Sequence, residues 1–179
     1  TRADTGGAGK FRGGHGISRV YRFEEDGAIT YQDDRAHTYP WGVDGGKHAG
    51  PSEKKVVRAD GSVEELPSKV ENFAVEAGDK LVFRSAGGGG LGDPLERDPE
   101  LVATEVRRGL ISEAAAREEY GVVLEDGQVD EAATADSRER VREERPDGEQ
   151  FDFGDLPDYD ELAERIAEER REFNARYRH

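Results

Sequence analysis

Cysteine and methionine are absent from the 179 residues, lysine occurs only six times, and apolar residues make up just 34% of the chain. Without cysteine there can be no disulfide, no thiolate metal site and no cysteine nucleophile. No apolar run approaches the roughly 20 residues that a membrane span requires, and no signal-peptide pattern opens the chain, so a cytoplasmic protein is expected. The scarcity of apolar residues predicts one modest core drawn from short segments, together with a solvated tail. The opening, TRADTGGAGKFRGGHG, has the composition of a loop from the middle of a protein, and further sequence upstream is expected.

What the chain has in abundance is acid. Asp and Glu number 41 against 26 Lys and Arg, giving a net charge of -15. Such a charge repels nucleic acid phosphates and anionic lipid at long range, so neither nucleic acid nor a membrane is an expected partner. The acid is dispersed and the basic residues are mostly arginine, twenty against six lysines. This pattern suits a protein kept soluble at high salt, where the Debye length shrinks to about 3 Å, and a salt-adapted source is the expectation.

Hydrophobic period divides the chain. Residues 17–24 alternate in the manner of a strand, and Asp26-Gly27 followed by AITYQ predicts a hairpin. KKVVRADGSVEEL repeats that signal around Asp60-Gly61, and KVENFAVEAGDKLVFRSA adds two strands about Gly78-Asp79. After GGGGLGDP, residues 87–94, the period changes to that of a helix. Asp98 with Pro99 opens one helix that stops at Gly109, and Ser112 opens another that ends at Gly121. VVLEDGQVD predicts a small hairpin at Asp126-Gly127, and ATADSRERVREER an exposed helix halted before Pro146. Asp158 then caps a charged helix whose apolar residues, Tyr159, Leu162, Ile166, Phe173 and Tyr177, fall on one face and need a surface on the same domain or on a separate partner chain. Glu161 stands four residues before Arg165, ordinary support for such a helix. The expected fold is α+β: an antiparallel β-rich part over 1–86, a glycine-rich loop and short helices over 87–145, and an acidic linker with an appended helix over 146–179.

Several motifs invite chemistry and are answered by blander readings. GGAGKF resembles a phosphate loop, but Asp4 stands where GxxxxGK needs its first glycine and Phe11 where it needs Ser or Thr. Gly87–Gly92 has the GxGxxG spacing without a βαβ frame, which favours a tight turn. A single RGGHG in so acidic a chain is poor support for RNA binding. His15, His37 and His48 lie near Asp33, Asp34 and Asp44, and His179 ends the chain. None of the four is paired at i, i+3 or i, i+4, so loop-bracing or surface roles are favoured over metal or acid–base roles. Asp33-Asp34-Arg35 reads as an ion pair ordering the loop that follows, with a substrate-facing Arg35 as the alternative.

The order of the blocks is more specific than any one of them. GGAGKFRGGHG, DDR, PWGVDGGKHAG, GDKLVFRSAGGGGLGDPLERDPE, EVRRGLISEAAAREEYGVVL and VDEAATADSR, in register over residues 5–138, resemble the closing third of hydantoinase B-type proteins. The resemblance implies ATP-dependent hydrolysis of cyclic amides such as hydantoins and 5-oxoproline. An A-type subunit holds ATP and phosphorylates the amide oxygen, and a B-type subunit completes the reaction, with metal-assisted activation of water suited to that second step. It also implies that the B-type metal ligands lie in an N-terminal region with no counterpart here. This segment is then inert alone and binds no cofactor itself, with ATP and a divalent metal belonging to the complete heteromer. Its implied partners are the A-type subunit and the missing N-terminal B region. By motif position, Arg12, Gly13, Gly14, Arg35, Trp41, Gly42, Gly45, Gly46, Gly89, Gly90 and Asp93 would line the mouth of the site or an interface. Alternatives within the resemblance are part of an ATP-dependent carboxylase of acetone or acetophenone, or an assembly module without catalytic function.

Overall fold

The computed structural model describes residues 1–144, 151–154 and 158–177. The strands are β1 (Ser18–Arg22), β2 (Gly27–Gln32), β3 (Gly42–Val43), β4 (Glu53–Val57), β5 (Val63–Glu65), β6 (Lys69–Val75), β7 (Lys80–Arg84), β8 (Leu124–Glu125), β9 (Gln128–Val129) and β10 (Phe151–Asp152). The helices are α1 (Pro99–Arg107), α2 (Glu113–Tyr120), α3 (Glu131–Glu144) and α4 (Tyr159–Tyr177), and all strand pairing is antiparallel, so the α+β class holds. Pro146 and His179 lie outside the described residues, as do the side chains of Tyr159 and Tyr177.

The chain forms two compact units, one of residues 1–17, 39–50 and 86–154, the other of 18–38, 51–85 and 155–179. Each has its own core, where composition had suggested one. In the second unit Val56, Val70, Phe73, Val75 and Leu81 are buried together, each worth about 1.5–3 kcal/mol of transfer free energy when fully removed from water.

The first predicted hairpin is not there. β1 pairs with β7 and β2 with β6, on one register: Ser18 lies opposite Arg84 and Gly27 opposite Val75. Residues 18–32 and 69–84 are therefore one long antiparallel ribbon bent at a corner. The corner is pinned by the Phe23 N–H donating to the Asp79 carbonyl, the Gly78 N–H donating to the Phe23 carbonyl, and the Asp26 carboxylate accepting the Ala77 N–H at 2.9 Å. A type I′ turn needs φ above zero at both central residues, and neither Asp26 nor Gly27 has it. Asp126 (φ 51) and Gly127 (φ 77) do, and there the predicted hairpin forms, β8 on β9. The β4–β5 hairpin at Asp60-Gly61 also forms.

Within β6 the inward residues Val70 and Phe73 are three apart. Asn72 at φ 53 makes a bulge against β2 that restores the phase. Asp79, 1% exposed, accepts from the Arg58 guanidinium at 2.8 Å and from the Ala59 and Glu76 N–H groups at 3.0 Å. Burial alone would raise its pKa, but the backbone donor at Glu76 and the Arg58 guanidinium hold it below the usual value. Asp33 does order the loop after β2, accepting from the Arg35 N–H at 3.0 Å, but its ionic partner is the buried Lys54. The stripe of α4 packs in this same unit: Leu162 is buried and Phe173 stacks on Phe73 at 5.6 Å.

In the first unit, Ala8, Val102, Ile111, Ala116, Tyr120 and Val122 form the core. The helix signals read as expected. The Asp98 carboxylate accepts the Glu100 N–H, the Ser112 hydroxyl accepts the Ala115 N–H, and Gly121 closes α2 at φ 62. Arg138 of α3 donates to the carbonyls of Tyr120 and Arg97, at 3.1 and 2.6 Å, tying three elements together.

Candidate functional site

Three glycine-rich segments, 5–16, 41–50 and 86–93, run side by side in the first unit and bond backbone to backbone. The Gly7 N–H donates to Gly88 (2.9 Å), Gly88 to Gly14 (2.8 Å), Gly90 to Lys47 (2.9 Å), Lys47 to Ala8 (2.7 Å) and Val43 to Gly90 (2.9 Å). At several of these glycines no room is left for a side chain. A Cβ on Gly13 would fall on the Gly88 carbonyl, and one on Gly89 on the Trp41 carbonyl. Neither glycine has a left-handed φ, so close approach, not turn geometry, requires glycine at both. With these N–H groups committed to protein carbonyls, the loops do not present the convergent donors of a phosphate cradle.

Arg12 leaves the first loop and lies against α1. Its Nε and Nη2 donate to Glu105 Oε1 at 3.2 and 3.1 Å, and Arg97 Nη2 donates to the same oxygen at 3.0 Å. The side chains of Glu105 and Arg97 are each 8% exposed. Arg97 also donates to the Lys10 carbonyl at 2.9 Å. One buried carboxylate thus fixes two arginines, and through them the loop to the helix. Truncating one partner of such a group is costly because it leaves buried charge uncompensated.

A cavity of about 420 Å³ opens in this unit, with Asp4, His15, Lys47, His48, Tyr120 and Asp152 in its lining. The His48 N–H donates to Asp152 Oδ2 at 3.3 Å, and its ring sits 4.8 Å from that of Tyr39. Lys47 Nζ is 3.8 Å from the same carboxylate oxygen. Both ring nitrogens of His15 are buried, with no hydrogen-bond partner among the described residues. Burial, then the neighbouring Arg12 charge, lowers its pKa, so the imidazole is neutral at pH 7. The Tyr120 phenol is pushed up by burial. The cavity offers mixed charge and neutral imidazole, fit for a small polar group. Among the described residues no three acidic or histidine side chains are grouped to hold a metal ion.

Of the loop residues assigned by motif position, all except Arg35 lie in the first unit, while Asp33, Asp34 and His37 lie with Arg35 in the second. Gly13, Gly42, Gly46 and Gly90 are buried in the backbone stack, while Gly14 is exposed and lends it a carbonyl. Asp44 (φ 54) and Gly45 (φ 83) make the tight turn after β3. Trp41 is 46% exposed. Asp93 accepts the Leu95 N–H at 2.9 Å and caps a short 3-10 turn, Pro94–Glu96. Arg35 belongs to the second unit, where its carbonyl accepts the Ser52 N–H. Sequence reasoning missed Glu105 and Arg97. The available signal was a carboxylate between Val102 and Val106 on the apolar face of α1.

The hydantoinase B/oxoprolinase family model matches residues 1–94, and the chain belongs to that family. It is 36% identical to a putative D-/L-hydantoinase B subunit of a Pseudomonas species, over 67% of this chain and 20% of that one. It is also 36% identical to the beta subunit of the caprolactamase of Pseudomonas jessenii, over 73% of this chain and 23% of the other. The nucleotide-free structure of an acetone carboxylase overlays 98% of this chain and 27% of its own with a TM-score of 0.59 at 22% identity, a likeness of fold. The chain spans about a fifth of the length of the curated relatives it matches.

Proposed function

We propose that this chain supplies the C-terminal segment of the B-type component of an ATP-dependent amidohydrolase acting on cyclic amides of the hydantoin and 5-oxoproline class. The family match over residues 1–94 carries the reading, since it covers all three stacked glycine segments. The names of the matched relatives, a component of a hydantoinase and one of a caprolactamase, support cyclic amides as substrates. In this reading ATP is bound by an A-type partner and a divalent metal by the remainder of the B-type polypeptide. The segment acts as a rigid frame, with Trp41, Gly45 and Asp93 at the rim of the loops that would face the site or the partner. Its interior pairs, Arg12 with Glu105 above all, keep that rim in place. The acidic surface of the chain suits work at high salt.

A carboxylase reading is favoured by one observation, a 28% identity over 80% of the chain with an acetone carboxylase alpha subunit from Xanthobacter autotrophicus. One experiment separates the two. In a complex of the A-type protein and a B-type polypeptide, ring opening of hydantoin or 5-oxoproline coupled to ATP cleavage is measured with and without this chain, and acetone loss is measured with and without bicarbonate. The amidohydrolase reading expects ring opening to fall at least about tenfold without the chain. Equal rates would remove the proposed role, and bicarbonate-dependent acetone loss in place of ring opening would transfer it to the carboxylase.

A further inference from the structure

Six apolar side chains share one face of the unit that holds the glycine loops. Phe11 lies opposite Leu91, Leu91 opposite Val43, and Val43 opposite Phe151 across four adjoining backbone segments, and residues directly opposite in paired backbone project to the same side. Trp41 and Phe153 stand two residues from Val43 and Phe151, the spacing that returns a side chain to the same face of extended chain. The rings bear this out: Phe151 stacks on Phe153 at 5.9 Å and Trp41 lies 6.2 Å from Phe153. Asp152 between the two phenylalanines turns the other way and accepts the His48 N–H. Exposure is 63% for Phe11, 46% for Trp41 and Leu91, 40% for Phe151 and 45% for Phe153. A run of exposed rings is conspicuous in a chain that is 37% charged, because contiguous apolar patches on soluble proteins mark interaction surfaces.

We infer that this face is where the remainder of a B-type polypeptide docks, the roughly four-fifths of the relatives' length that this chain does not match. The inference rests on the family reading proposed above and adds to it the surface used. Two observations select that occupant. None of the six residues is charged, so the complementary surface is apolar, as in permanent interfaces that resemble a core cut in two. The relatives carry the matched stretch and the rest within one polypeptide, which is the setting of such a permanent contact.

The test measures binding of the whole 179-residue chain to a B-type polypeptide lacking the matched stretch, by sedimentation and titration calorimetry. The wild-type chain is expected to bind. The double variant Phe11→Ser/Phe153→Ser is expected to bind at least about tenfold more weakly, while Val63→Ser, at an equally exposed apolar position in the other unit, binds unchanged. Should the double variant not fold, hydroxyl-radical labelling of the wild-type Phe11, Phe151 and Phe153 rings, free and in the complex, gives the same answer, with protection expected. No binding by the wild-type chain would overturn the family role together with the inference. Binding that is indifferent to the double substitution, or rings labelled equally in both states, would overturn the inference alone. A wild-type homodimer dissociated by Phe11→Ser would give the face to a second copy and overturn the choice of occupant.

Discussion

Glu105 and His15 show how little of the site's electrostatics can be read from residue type. Glu105 sits in α1 among valines, where a charge is out of place until Arg12 and Arg97 converge on it from 93 and 8 residues away. His15 reads as one of several loop histidines, yet its ring nitrogens are buried and its pKa is lowered. The unfolded chain protonates this histidine near 6.5, whereas the folded protein takes up the proton only at lower pH. The unfolded state therefore binds more protons in the window below 6.5, and stability contributed by neutral His15 is complete above 6.5 and declines as pH falls through it. Urea midpoints measured from about pH 7.5 to about pH 5 should fall more steeply for the wild type than for His15→Asn. Parallel curves for the two would show that His15 does not carry the dependence.

At the scale of elements, the sequence was legible wherever a local rule decides the outcome. Asp98, Ser112 and Gly121 set the helix ends, and Asp126-Gly127 makes its hairpin, because cap and turn geometry depends on a few adjacent residues. Asp26-Gly27 carries the same letters and makes a corner, because residues 18–32 find their partner in residues 69–84 and the pairing over the whole ribbon outweighs one turn. The glycine segments were legible as important but not as to why. A tight turn was the natural reading, and Gly45 (φ 83) and Gly92 (φ 75) do have a positive φ, but at Gly13, Gly42, Gly46, Gly89 and Gly90 the structure lays backbone on backbone. This distinction is testable within one dipeptide. Gly13→Ala places a methyl group on the Gly88 carbonyl, while a Cβ on Gly14 meets nothing within 4 Å. Denaturant titration should show Gly13→Ala losing about 3 kcal/mol and Gly14→Ala staying within about 0.5 kcal/mol of wild type. Similar losses for both would refute the packing account.

For the whole molecule, membership of the hydantoinase B/oxoprolinase family followed from block order, while the division into two units did not. The second unit draws on 18–38, 51–85 and the last helix, so its parts are interleaved in sequence with those of the first, whose pieces begin with or contain the glycine-rich segments. Interleaving also explains the glycine stack, since three segments far apart in sequence must meet in little space. These loops form a packed frame and not mobile ligand cradles. Amide hydrogen exchange at Gly7, Gly88, Gly90 and Leu91 tests it most directly, because each of these N–H groups is bonded to a carbonyl of another segment. Protection at these amides is expected to match that of Val102 and Val106 in α1 and to be lost only on global unfolding. Exchange as fast as at the exposed turn residue Gly61 would contradict it.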